Sequence, residues 1–172
     1  MYSSVLIDAD ILVYRAAITN QVDVDWDGDG QLDPIADFDQ ALHYMGSTVA
    51  SWMEEVDHIE ESKWIYCITT GDNWRYNVLP SYKANRKDVV PPVLRKKINQ
   101  YLLNSGLPVA HLNGFEADDV MGILSTTIPG RFLIISQDKD LLSIPGWVWN
   151  PDKMDEPVWR TEEDADYFHY FQ

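Results

Sequence analysis

The sequence predicts an α/β fold, with a mostly parallel sheet flanked by helices. Three observations carry this. Short apolar runs at 5–7, 64–69 and 132–135 read as buried strands. Segments of helical periodicity alternate with them. Each run leads into acids: Asp8 and Asp10 after the first, Asp72 after the second, Asp138 and Asp140 after the third. Strand, acid, helix is the order that puts side chains at the carboxyl edge of a parallel sheet, where open α/β folds place their sites.

The elements follow in order. Residues 5–7 form a strand, and 11–17 a helix from which Arg15 either pairs with Asp8 or faces solvent. Residues 21–34 are polar, with acids at alternating positions, and read as an acidic surface loop or irregular hairpin. Asp25-x-Asp27-x-Asp29-Gly30 matches the front half of a calcium loop, but Ala36 stands where the twelfth ligand, a bidentate Glu, is needed. Apolar residues at 35, 38, 42, 45, 49, 52 and 56 predict an amphipathic helix over 35–56. Residues 74–92 lack periodicity, carry Pro80, Pro91 and Pro92, and read as a loop or arch over the site. Leu94, Ile98, Tyr101 and Leu102 mark the next helix, and 107–112 a short strand. After Gly114 a helix buries Ala117, Val120, Met121, Leu124 and Ile128 and shows Glu116 and Asp119 on another face. Trp147-Val148-Trp149 and Val158-Trp159-Arg160 predict a hairpin at the sheet edge. Thr161 and Asp164 form a capping box opening a last helix.

The totals set bounds. A chain of 172 residues is one domain, 1–172, large enough for a real core. Its 45% hydrophobic and 24% charged residues are those of a globular protein, not a disordered one. Cys67 is the only cysteine, sits in an apolar run, and is expected as a buried thiol in a reducing compartment. No apolar run reaches the length of a membrane span, and no basic-then-apolar leader opens the sequence. The net charge of −15 argues against a general nucleic-acid coat protein. Seven of the 13 basic residues nevertheless lie within 75–97 (Arg75, Lys83, Arg86, Lys87, Arg95, Lys96, Lys97), against one acid, Asp88. Such a strip on an acidic body engages phosphates locally.

Glu116, Asp118 and Asp119 open one helix, and Asp138 and Asp140 follow the next strand. Repelling carboxylates beside buried elements are costly unless a cation binds there. Mg²⁺ and Mn²⁺ prefer such oxygen donors. In a parallel sheet these acids, Asp8 and Asp72 converge at one edge. With a basic loop nearby the cluster suits metal-assisted phosphodiester hydrolysis, where two ions about 4 Å apart activate water and stabilise the leaving oxygen. The four histidines are scattered, and no Ser-His-Asp, Cys-His or phosphate-cradling glycine pattern competes.

The segments LIDADILVYRAA (6–17), TGDNWRYNVLPSYKANRK (70–87), GFEADDVMG (114–122), ISQDKDLLSIPG (135–146) and TEEDADYFHYFQ (161–172) resemble, in order, those of the 5′ nuclease superfamily. That superfamily includes flap endonucleases and the 5′→3′ exonuclease domain of bacterial DNA polymerase I; the look is closest to the 5′→3′ exonucleases of podovirus-type phages. The resemblance implies a PIN-like fold with a helical arch at about 74–97. It implies a Mg²⁺- or Mn²⁺-dependent 5′→3′ exonuclease or flap endonuclease, with up to two ions, acting on DNA with a 5′ end or flap in a cytoplasm, the host's if the gene is a phage's. Asp8, Asp72, Glu116, Asp118 and Asp119 would build the first metal site, some through water, and Asp138 and Asp140 would link it to the second. Lys83 would reach the scissile phosphate. Tyr82 would stack on a base, while Arg86 and Lys87, with Arg75 of the same strip, would hold DNA.

In the superfamily a G-D-x-x-D motif completes the second metal site, and a helix–three-turn–helix element grips duplex DNA. Neither is in this sequence. A second chain supplying them is the implied partner, and a non-catalytic half is one alternative reading. A PIN-type ribonuclease is the other; the arch with YKANRK disfavours it.

Overall fold

The computed structural model describes residues 2–56, 59–84 and 89–170, apart from the side chains of Ser62, His169 and Tyr170. Strand β1 (Ser4–Asp8) lies at the centre of a six-stranded sheet. It pairs in parallel with β4 (Trp64–Cys67) on one side and β6 (Phe132–Ile135) on the other. Val5 stands opposite Trp64 and Leu133, and Ile7 opposite Tyr66 and Ile135. Beyond β4 lies β5 (Val109–Ala110), and beyond β6 lies β7 (Gly146–Trp149), both parallel. The edge strand β8 (Val158–Arg160) is antiparallel and closes the hairpin expected from the Trp-Val-Trp run.

Both faces of this sheet are covered, so its strands are near-continuously apolar. Alternate residues serve two cores, as the strand repeat of two requires. Val5, Ile7, Leu133, Ile135 and Trp149 point into the larger core, with α1 (Ala9–Thr19), α2 (Phe38–Glu55) and α4 (Arg95–Asn104). Leu6, Ile134 and Val148 point the other way, onto Ala117, Val120 and Met121 of α5 (Ala117–Thr127). The observed architecture is the expected one, a mostly parallel sheet between helices.

Several boundaries differ from the sequence reading. Helix α2 starts at Phe38, not at 35, because Asp37 caps it by accepting from the Asp39 and Gln40 amides. Residues 33–36 instead form β3 (Asp33–Ala36), which pairs with β2 (Gln21–Val24) in an antiparallel hairpin. At its tip Asp25 accepts from the amides of Gly28 and Gly30, both at positive φ. Residues 74–84 include one short helix, α3 (Arg75–Val78). Ile128 ends α5 and is 46% exposed, so it is not core. Arg15 does not reach Asp8 but meets Asp152 at 2.7 Å. Cys67 is buried as expected, and burial pushes its thiol well above the usual range. The final helix, α6 (Glu162–Tyr170), opens on the expected capping box: Asp164 N donates to Thr161 Oγ1 at 3.1 Å and Thr161 N to Asp164 Oδ2 at 3.1 Å.

A candidate metal-dependent nuclease site

The parallel strands end together, and the acids that follow them share an edge. Asp8 closes β1 and caps α1, accepting from the Ile11 amide at 3.2 Å. Its other oxygen accepts from Ser136 Oγ at 2.6 Å, one residue past β6. The same hydroxyl accepts from the Asp138 amide at 2.9 Å. Ser136 is buried and thus ties the ends of β1 and β6 into one unit. On the opposite flank Asp10 accepts from both the amide and the hydroxyl of Thr69. Thr69 Oγ1 in turn accepts from the Ala117 amide, at 3.0 Å, in the first turn of α5.

The turn after β4 brings α5 into place. Gly71 has φ of +73°, and a Cβ there would lie 2.1 Å from Asn113 Oδ1. Only glycine lets this turn approach residues 113 and 114 so closely. Thr70 bridges to Asn113, and Trp74 N donates to the Gly114 carbonyl at 2.9 Å. Residue 116 is then the N-cap of α5, and Asp119, at the third helical position, accepts from the Glu116 amide at 3.0 Å.

A cavity of about 640 Å³ opens at this edge, well within the size range of ligand sites. Asp8, Asp10, Glu116, Asp118, Asp138 and Asp140 are among its lining residues. Lys83, Tyr82, Arg95, Tyr14, Val89 and Pro91 are among the residues completing it. The expected residues therefore separate into groups. Asp8, Glu116, Asp118, Asp138, Asp140, Tyr82 and Lys83 come together. Asp119 and Arg75 face each other outside the cavity wall, bonded through both guanidinium nitrogens at 2.7 Å each. Asp72 is exposed and does not line the cavity. Arg86 and Lys87 lie outside the described residues. Thr69 and Ser136 escaped the sequence reading. Their one sequence signal is a hydroxyl placed between the end of a strand and an acid two or three residues on.

Charge in the cavity is unevenly compensated. Lys83 Nζ bonds Glu116 Oε1, and Tyr82 OH donates to Glu116 Oε2 at 2.8 Å. Burial works to raise the Glu116 carboxyl, but these two bonds outweigh it and hold it below the usual range. Lys83 is raised in turn: its pairing with Glu116 overcomes burial. Asp119 is lowered, chiefly by Arg75. Asp8 and Asp118 have no ion-pair partner among the described residues. Burial pushes Asp8 up to about 7, and Asp118 is raised by burial and then by Glu116 and Asp138. An all-oxygen donor set with two acids held back from ionising fits a hard divalent cation, whose charge relieves both penalties. The one group of three carboxylates already within reach of a single ion, among the described residues, is elsewhere: Asp25, Asp27 and Asp29 at the β2–β3 tip.

The Asp8 shift has a consequence for stability. Its folded pKa lies above the ordinary value of 3.8, so the stability it contributes is full below about pH 4 and is lost as pH rises through about 7. With chelator present, Asp8→Asn is expected to gain stability relative to the wild type across that window. Urea midpoints from pH 4.5 to 8 check this; a constant difference would mean that Asp8 is ionised throughout.

The profile of the family described as 5′-3′ exonuclease, N-terminal resolvase-like domain, matches residues 3–163. The chain is 28% identical over 181 aligned residues to the exonuclease of Escherichia phage T7, covering 97% of this chain and 57% of that relative. It thus spans little more than half the length of that protein. A structure of the bacteriophage T5 5′-exonuclease with bound zinc superposes with a TM-score of 0.61 at 16% identity, covering 96% of this chain and 63% of the other. A T5 D15 flap endonuclease complex with DNA and metal ions superposes with a TM-score of 0.58 at 16% identity, covering 90% and 57%. These structural matches bear on the fold, and with the acid-lined edge and the sequence match they lead to one conclusion: this chain belongs to the 5′-3′ exonuclease family, as its N-terminal resolvase-like domain.

Proposed function

We propose that this chain is the catalytic domain of a 5′→3′ exonuclease or flap endonuclease that hydrolyses DNA phosphodiesters near a 5′ end with Mg²⁺ or Mn²⁺. The observation that carries the reading is the cavity that Lys83 lines together with six carboxylates, of which Asp8 and Asp118 are raised first by burial and then by neighbouring acids. The family and the DNA and metal ions held by the T5 relative support it.

Asp8, Glu116, Asp118, Asp138 and Asp140 would hold the metal; Asp72 and Asp119, outside the cavity wall, would act through water or through their neighbours. Metal bound there supplies activation of water and neutralisation of charge on the phosphate. The protein's own part is positional and electrostatic. Ser136 and the Ile11 amide fix both oxygens of Asp8. Lys83 is already on the carboxylate wall, where it stabilises charge growing on the reacting phosphate. Its positive φ of 51° is unusual outside glycine. Tyr82, beside it, offers a ring for stacking on a base, and Arg86 and Lys87 add phosphate contacts.

Cleavage of a 5′-labelled nicked or flapped duplex with Mn²⁺, with and without chelator, tests the reading. Chelator-sensitive release of 5′-phosphorylated products is expected, and faster turnover of RNA than of DNA would turn the proposal to a ribonuclease. Lys83→Ala is expected to slow the single-turnover rate by about 10²-fold while DNA affinity changes by no more than a few-fold. A loss confined to affinity would make Lys83 a binding residue only.

A further inference from the structure

We propose that Arg75 is a positioning residue: it clamps Asp119, fixes the first turn of α5 from which Glu116 and Asp118 are presented, and makes no contact with nucleic acid. The inference rests on the nuclease reading of the cavity and adds to it a residue that acts through another. The sequence alone places Arg75 with the basic strip. The structure turns it inward.

The geometry is that of a two-pronged clamp. Nη1 lies 2.7 Å from Asp119 Oδ2, and Nη2 lies 2.7 Å from Oδ1. Asp119 Oδ2 also accepts from the Glu116 amide at 3.0 Å, so one oxygen joins the guanidinium to the N-cap of α5. Nη1 further lies 3.7 Å from Glu116 Oε2. The guanidinium is covered by aromatic rings, 4.9 Å from Trp74 and 5.7 Å from Tyr82. The backbone that carries it is pinned too: Arg75 N donates to Asn73 Oδ1 at 2.9 Å, and Trp74 N to the Gly114 carbonyl at 2.9 Å. Turning the guanidinium away from α5 toward DNA would give up two charge-assisted bonds to Asp119 and its place beside both rings. Arg95, by contrast, lines the cavity with no carboxylate partner among the described residues and suits a phosphate better.

Glu116 binds Lys83 and Tyr82, and Asp118 lines the cavity two residues on. Small errors in such placement are costly, since a misplacement of about 1 Å reduces rates by about 10²-fold. Lysine cannot reproduce the fork that grips both oxygens.

The test uses Arg75→Lys, Arg75→Met and Arg75→Ala, each checked for folding by its melting curve. Three readouts are taken: hydrogen exchange at the Glu116 amide in the metal-free protein, DNA affinity, and single-turnover rate at saturating DNA. The clamp predicts that exchange at Glu116 rises by about tenfold or more, the saturating rate falls by about 10–10²-fold, and affinity stays within a few-fold. Lysine restores little of the rate. Adding an Arg75 change to Asp119→Ala costs little more than Asp119→Ala alone. If Arg75→Ala does not fold, Arg75→Lys and Arg75→Met carry the test. Unchanged exchange overturns the clamp, as do weaker DNA binding with an unchanged saturating rate and additive losses with Asp119→Ala. Exchange needs no catalysis: if the wild type cleaves nothing with any divalent ion, the nuclease reading fails while the exchange result alone decides the clamp.

Discussion

Asp118→Asn is expected to lower the single-turnover rate of DNA cleavage by about 10²–10³-fold, the scale of losing one preorganised electrostatic group from a reaction centre. Asp118 lines the cavity from the first turn of α5, near Glu116, Asp138 and Lys83. Its carboxyl is raised first by burial and then by those two acids. The asparagine has nearly the same shape and lacks the charge. DNA affinity should change little, since the basic strip is left intact. Stability at neutral pH should hold or rise, because a partly buried and crowded charge is gone. The result is read from rate and melting curve together: a slow, well-folded variant places Asp118 at the reaction. An unchanged rate would mean the chemistry lies elsewhere, and the carboxylates of the cavity would have to be reassigned.

The second large effect is on the fold. Trp149→Ala is expected to cost about 3–5 kcal/mol, as removing a large aromatic from a packed core does. Trp149 is 1% exposed, stands opposite Ile135, and donates through Nε1 to the Met154 carbonyl at 3.0 Å. Its own carbonyl accepts from the Ser136 amide at 3.1 Å. The strand end that orients Asp8 is thus braced by this residue. Domain stabilities run to only about 5–15 kcal/mol, so the loss should bring unfolding to much lower urea. Trp149→Phe should keep most of the packing. A midpoint that barely moves in the alanine variant would show that β7 adds little to the core.

How much was legible follows a physical division. Asp8, Asp138 and Asp140 were readable because an apolar run that ends in acids says both where a strand stops and what stands at its end. Glu116 and Asp118 were readable because their helix start follows a glycine-marked turn. What could not be read depends on partners far along the chain. Thr69 meets Asp10 across 59 residues and Ala117 across 48. Ser136 meets Asp8 across 128. No local pattern distinguishes such a hydroxyl from one facing solvent. The basic strip was legible only as charge density: Arg75, read with it, pairs with Asp119 across 44 residues, which no local pattern shows. The start of α2 was misplaced because Ile35 continues the helical repeat, although Asp37 carried the capping signal.

The central position of β1 has a consequence for how the protein comes into being. Strand β1 finds one neighbour at residues 64–67 and the other at 132–135. Until both have emerged, it has no finished sheet to join, and such distant pairing is slow. The acidic pocket inherits this order of events, because its floor links residue 8 to residue 136. A nascent chain therefore carries Asp8 long before it carries the pocket, which assembles only when β6 joins β1.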